Sequence, residues 1–292
     1  MTRGPLMIDV AGLTLTDEDR ELLAHPMVGS VILFSRNVDT PEQVRALTDA
    51  MRAVRPELWI AVDQEGGRVQ RLREGFTRIP PMRTLGHHYD RDPDAAIASA
   101  RQWGETMARE VREVGIDFSF APVLDLDVGV SGVIGDRAFH SEPMKAVTLI
   151  RAFMQGMKAA GMMTIGKHFP GHGSVAADSH LELPVDNRSW DEISAYDLVP
   201  FRELAAELDG IMPAHVVYPQ VDPLPAGFSE FWLKTVLREQ LGFTGVVFSD
   251  DLCMEGAAGL GDMRQRVAVA MGAGCGVVLI CNSREAVRSV LG

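Results

Sequence analysis

The sequence predicts an α/β chain folded as a single (β/α)8 TIM-like barrel. Three observations carry this. Eight short apolar runs recur along 292 residues, amphipathic stretches separate most of them, and chemically capable side chains collect where the runs end. Alternation of strand and helix calls for a parallel sheet. Eight strands in this length fit a barrel formed as one catalytic domain, residues 1–292. An open doubly wound sheet is the competing architecture. It usually has fewer strands and a glycine-rich phosphate turn near its start, and no such turn follows the first run here.

The runs fall near Leu6–Val10, Val28–Phe34, Leu58–Asp63, Phe118–Val123, Met163–His168, Gly210–Pro213, Gly245–Ser249 and Gly276–Ile280. Helical stretches lie between them. Thr40-Pro41-Glu42 reads as an N-cap, a proline at the first helical position and an early acid. Pro93 to Val114 has apolar residues at helical spacing, and Pro143 to Ala160 ends at Gly161, a C-terminal stop. Ser189 to Leu208 and Ser229 to Gln240 behave alike. Ser283–Gly292 is long enough for about two helical turns.

Composition narrows the function. With 46% hydrophobic and 23% charged residues the chain is of ordinary globular type. Lys and Arg number 28 against 40 Asp and Glu, a net charge of −12 with no basic cluster. Nucleic acid and anionic membrane surfaces are therefore not expected partners. No apolar run approaches the roughly 20 residues of a membrane-spanning helix, and no obligate protein partner is evident. The three cysteines, Cys253, Cys275 and Cys281, are odd in number and unpatterned, which points to a reducing compartment. Near the start, Arg3 precedes apolar residues, but Asp9 interrupts them and acids follow where a cleavage site would lie. That is not a signal peptide, and a cytoplasmic protein is expected.

In a parallel barrel all strand C-termini point to one face, where barrel active sites lie. Asp63 ends the third run and is followed by Gln64-Glu65-Gly66-Gly67-Arg68; Asp125 and Asp127 follow the fourth. The fifth delivers Lys167 and His168, the sixth His215, the seventh Asp250 and Asp251, and the eighth Cys281 and Asn282. A lone strand-end Asp more often caps the next helix. A whole ring of acids and bases is costly to gather and calls for chemistry.

The densest segment runs from Lys167 through F-P-G-H-G to Asp178-Ser179-His180. Gly171 and Gly173 allow a tight fold-back. Lys167 and His168 can donate to hydroxyls of a neutral polar ligand. Asp178, two residues from His180, can orient that imidazole and favour its protonated form, making it a proton donor and acceptor near neutral pH. Asp250 is a rigid strand-end carboxylate that can attack a sugar's anomeric carbon or stabilise an adjacent cation. Asp251 should point elsewhere, although spacing alone does not choose between the two. Arg71 and Arg137 would each pass for surface arginines if alone; beside an acid-rich mouth they fit ligand binding or charge balance.

The blocks K-H-F-P-G-H-G with D-S-H, V-D-Q-E-G-G-R-V-Q-R, V-I-G-D-R-A-F and F-S-D-D-L-C-M-E-G-A, in this order, resemble the family 3 glycoside hydrolases over nearly the whole chain. The likeness is to the branch that acts in bacterial cell-wall recycling. It implies a TIM-like barrel and a retaining exo-β-N-acetylglucosaminidase that takes terminal N-acetylglucosamine from muropeptides (N-acetylglucosamine linked to anhydro-N-acetylmuramic acid). It implies Asp250 as nucleophile, His180 as acid/base and Asp178 as its dyad partner. Asp63, Arg71, Arg137, Lys167 and His168 would hold the sugar. No cofactor or metal is implied. Members of the family run somewhat further past the eighth strand, and the larger ones add a second α/β domain.

Three rivals stand beside this reading. A metal-dependent hydrolase would gather His168, His172, His180 and Asp178 around zinc, in a spacing that matches no common zinc pattern. A non-catalytic sugar-binding barrel would not require both a nucleophile and an acid. Phosphorolysis is the third, because a neutral acid/base would tolerate phosphate as acceptor.

Overall fold

The computed structural model describes residues 3–175 and 183–292. Its barrel strands are β1 (Leu6–Ile8), β2 (Val28–Leu33), β3 (Trp59–Val62), β4 (Phe118–Ser119), β5 (Ile165–Phe169), β6 (Gly210–Pro213), β7 (Val246–Asp251) and β8 (Val277–Ile280). They form one sheet in the order β4-β3-β2-β1-β8-β7-β6-β5, and every neighbouring pair is parallel. The expected (β/α)8 barrel is what forms.

The seam between β4 and β5 closes it. Val123 bridges Lys167, the Ile165 N–H donates to the Ala121 carbonyl at 2.8 Å, and the Leu124 N–H donates to that of Lys167 at 2.6 Å. The expected strand over Phe118–Val123 survives as two residues plus this bridge. Pro122 has no N–H to give to a ladder, which confines regular pairing to the residues before it.

Helices pack outside. Local sequence fixes their starts: Thr16 and Asp19 make a capping box for α1 (Asp17–Ala24), Thr40 caps α2 (Pro41–Val54), and Asp92 caps α4 (Pro93–Glu113). The short α3 (Arg83–Tyr89) precedes α4. α4 and α5 (Pro143–Ala159) approach so closely that a Cβ at Gly104 would stand 2.1 Å from the Phe153 carbonyl oxygen. The helix expected over 189–208 divides into α6 (Trp190–Ala195) and α7 (Val199–Leu204). Pro200 cannot donate to the preceding turn, so the helix restarts with proline in its first turn. Phe231–Gln240 winds as a π-helix; α8 (Met263–Ala273) and the short α9 (Arg284–Leu291) complete the ring. No helix among the described residues is long and apolar enough to cross a membrane.

Inside the barrel Trp59, Phe118, Phe120 and Phe248 pack edge to face or tilted, with ring centroids 5.4–6.2 Å apart. All but Trp59 are fully buried. Such rings contribute both buried area and favourable edge-to-face contacts. They form the floor beneath the C-terminal mouth.

Candidate active site

Above that floor lies a cavity of about 500 Å³. Asp63, Arg71, Arg137, Lys167, His168 and Asp250, six of the eight residues expected to act on ligand, line it together. The other two, Asp178 and His180, lie outside the described residues. Phe34, Phe120 and Met254 supply apolar wall.

One side of the cavity is a buried ion cluster. The chain leaves β3 at Asp63 and turns back through a short antiparallel pair, Gln64–Gly66 against Val69–Gln70. Lys167, from β5, reaches between two acids: its Nζ lies 2.9 Å from Asp63 Oδ1 and 2.6 Å from Glu65 Oε1. Arg137, from the turn Gly135–Arg137, meets Glu65 with Nε and Nη2, and Arg71 Nη2 stands 3.7 Å from Asp63. Burial alone would raise the Glu65 carboxyl; Arg137 and Lys167 outweigh it and hold the group well below the carboxylate range. Burial likewise works against the charge on Lys167, but Asp63 and Glu65 overcome it and raise its pKa.

Asp125 organises the opposite wall. It is fully buried, and its Oδ2 lies 2.7 Å from His168 Nδ1. Its Oδ1 accepts the His172 N–H at 2.7 Å. Burial raises this carboxyl, yet His168 and the second hydrogen-bonded histidine bring the balance below the usual value. The Lys167–His168 peptide is cis, and both side chains line the cavity. His172 packs edge-on to His168 with centroids 6.1 Å apart, and burial lowers its pKa against the pull of Asp125. Neither of its ring nitrogens has a hydrogen-bond partner among the described residues.

Asp250 and Asp251 end β7. Contrary to expectation, Asp251 stays at the site: both residues line the cavity. The reason is that Asp251 caps no helix. Its Oδ1 accepts from the N–H groups of Cys253 and Cys281, which draws it in between the ends of β7 and β8.

Residue-type reasoning passed over Glu65 and Asp125 as site residues. Glu65 was signalled by its place two residues after a strand-end acid, and Asp125 by its place just past the fourth run. Among the described residues no group of three or more His, Cys, Asp or Glu is placed to hold a metal ion. The arrangement can hold a hydroxyl-rich neutral ligand: paired ions offer their remaining donors and acceptors, apolar walls take a ring face, and a fixed carboxylate faces the space between.

The family model for the glycosyl hydrolase family 3 N-terminal domain matches residues 6–291. A curated β-hexosaminidase of Alkalilimnicola ehrlichii is 59% identical over 100% of this chain and 84% of its own length. That of Methylobacillus flagellatus is 56% identical with the same coverage. NagZ from Neisseria gonorrhoeae, solved in complex with N-trifluoroacetyl-D-glucosamine, superposes with a TM-score of 0.95 at 50% identity, covering 100% of this chain and 85% of that one.

Proposed function

The chain belongs to glycosyl hydrolase family 3, and we propose that it is a retaining exo-β-N-acetylglucosaminidase acting on muropeptides. The observation that carries this is the convergence of Asp250 with Asp63, Arg71, Arg137, Lys167 and His168 on one cavity at the barrel mouth. Relatives named β-hexosaminidase, and one structure holding an N-acylglucosamine analogue, support the same sugar. One barrel domain, residues 1–292, carries the whole reaction. Its three cysteines are unpaired, in keeping with a reducing cytoplasm.

The terminal sugar enters the cavity first. Asp63, Lys167, Arg137, His168 and Arg71 bind its hydroxyls and acetamido group, using donors and acceptors already held in place by the ion cluster, so little ordering is left to substrate binding. An Asp250 carboxylate oxygen then forms a bond to the anomeric carbon as the bond to the leaving oxygen breaks. His180, oriented by Asp178, gives its proton to that oxygen. In the second step His180 takes a proton from water, and the water displaces Asp250 with configuration retained. This class usually employs two carboxylates. An imidazole in the acid/base role has an unperturbed pKa of about 6.5 and adds no negative charge beside Asp250.

The deciding experiment is turnover of an aryl β-N-acetylglucosaminide by Asp250→Ala. We expect kcat to fall by about 10³-fold or more while the fold is kept. Turnover at the wild-type rate would remove Asp250 from the reaction.

A further inference from the structure

The residue beside the proposed nucleophile is clamped from three strands. Asp251 Oδ1 accepts the Cys253 N–H at 3.0 Å, closing the turn that leaves β7, and the Cys281 N–H at 3.1 Å, tying β7 to the end of β8. Its carbonyl is met at 3.1 Å by Nε2 of His215, from the loop after β6. A carbonyl only accepts, so Nε2 carries the proton. His215 is fully buried and stacks on Phe228 with ring centroids 5.2 Å apart. The Asp251 N–H, fixed by these contacts, donates to Asp250 Oδ1 at 2.8 Å. The peptide that aims the Asp250 carboxylate is thus immobilised by its neighbour's side chain.

We propose that Asp251 is a positioning residue for the glycosylation step, holding the Asp250 carboxylate in line with the anomeric carbon. The proposal rests on Asp250 being the nucleophile. Its physical basis is that an ångström of misplacement at a reacting atom costs about 100-fold in rate.

The surroundings of Asp251 add a second readout. Burial pushes its carboxyl up to about 7, and Asp250 and Asp9 add to this against the two N–H donors. The groups facing it are Asp250 on its own strand, Asp9 beyond β1 (itself paired with Arg36), the thiols of Cys253 and Cys281, and the His215 imidazole at its carbonyl. Below that pH Asp251 is a neutral acceptor; above it a second anion stands beside Asp250.

The test compares Asp251→Ala and Asp251→Asn on an aryl β-N-acetylglucosaminide. Asn keeps an oxygen for both N–H groups and cannot titrate. We expect Asp251→Ala to lose about 100-fold in kcat with KM within about threefold, and Asp251→Asn to recover most of the loss. On a dinitrophenyl glycoside, whose departure needs no proton, kcat/KM of the wild type should fall as pH rises through about 7, and that limb should vanish in Asp251→Asn. A folded Asp251→Ala with wild-type kcat would overturn the proposal, as would Asn failing to rescue or an unchanged alkaline limb. If Asp251→Ala does not fold, the pH profile of Asp251→Asn decides. Full activity in Asp250→Ala would instead sink the nucleophile reading itself, so the two failures are told apart.

Discussion

Glu65 and Arg137 meet fork to fork: Nε donates to Oε2 and Nη2 to Oε1, both at 2.8 Å. The geometry is the strong, planar form of ion pair, and both partners are nearly closed to solvent. Lys167 shares Oε1. Glu65 therefore balances the two cations, Arg137 and Lys167, to which the proposed function gives the sugar.

That arrangement predicts the cost of breaking it. Asp63 alone cannot balance Lys167 and Arg137. Glu65→Ala should destabilise the fold by about 3–5 kcal/mol, the usual cost of orphaning a buried charge, and should raise KM. Urea denaturation and steady-state kinetics check both. A stability within about 1 kcal/mol of wild type would show that the cations find other partners.

Asp125 gives a prediction in pH. Its carboxyl is held below the ordinary value, against burial, by His168 and His172. A carboxyl depressed by folding contributes stability that is present above its unfolded pKa of about 3.9 and is lost as pH falls through the folded value. The stability difference between wild type and Asp125→Asn should stay constant from pH 7 to about 4 and shrink below it. A constant difference down to pH 2 would contradict the depressed value.

The acid role proposed for His180 is tested by leaving group. His180→Ala should lose about 10²–10⁴-fold on poorly departing aglycones, and far less on dinitrophenyl glycosides, which leave unprotonated. Equal losses on both would count against it. Running the wild type with and without inorganic phosphate and identifying the product separates hydrolysis from phosphorolysis.

The crossing of α4 and α5 gives a test remote from the chemistry. A Cβ at Gly104 would lie 2.1 Å from the Phe153 carbonyl oxygen, and one at Gly156 2.0 Å from that of Arg101. Both contacts are with backbone, which cannot turn aside. Gly104→Ala should cost about 1–3 kcal/mol through overpacking, seen as a lower melting temperature, with kcat unchanged.

Much of this was legible before any coordinates. Each barrel strand corresponds to an apolar run because a strand buried on both faces must be apolar throughout. Thr40-Pro41 marked the start of α2 because capping is local chemistry. What escaped was set by distant partners. The hairpin from Gln64 to Gln70 is too short to show a periodicity. Glu65 looks like a loop acid until Lys167 and Arg137 arrive from β5 and from the turn after β4. Asp251 was expected to point elsewhere because the amide of Cys281, 30 positions later, cannot be foreseen from neighbours in sequence.

The four-ring floor formed by Trp59, Phe118, Phe120 and Phe248 has one more effect. Its rings pack against one another across the barrel interior beneath the cavity, so the C-terminal mouth is the way in and out of that cavity among the described residues. In the proposed two-step reaction the aglycone, nearer that mouth, has to depart before water can reach the glycosyl-enzyme, and the freed monosaccharide is the last to leave. Accumulating N-acetylglucosamine should then compete with incoming substrate for the same seat, a brake on turnover that arises from the shape of the vessel alone.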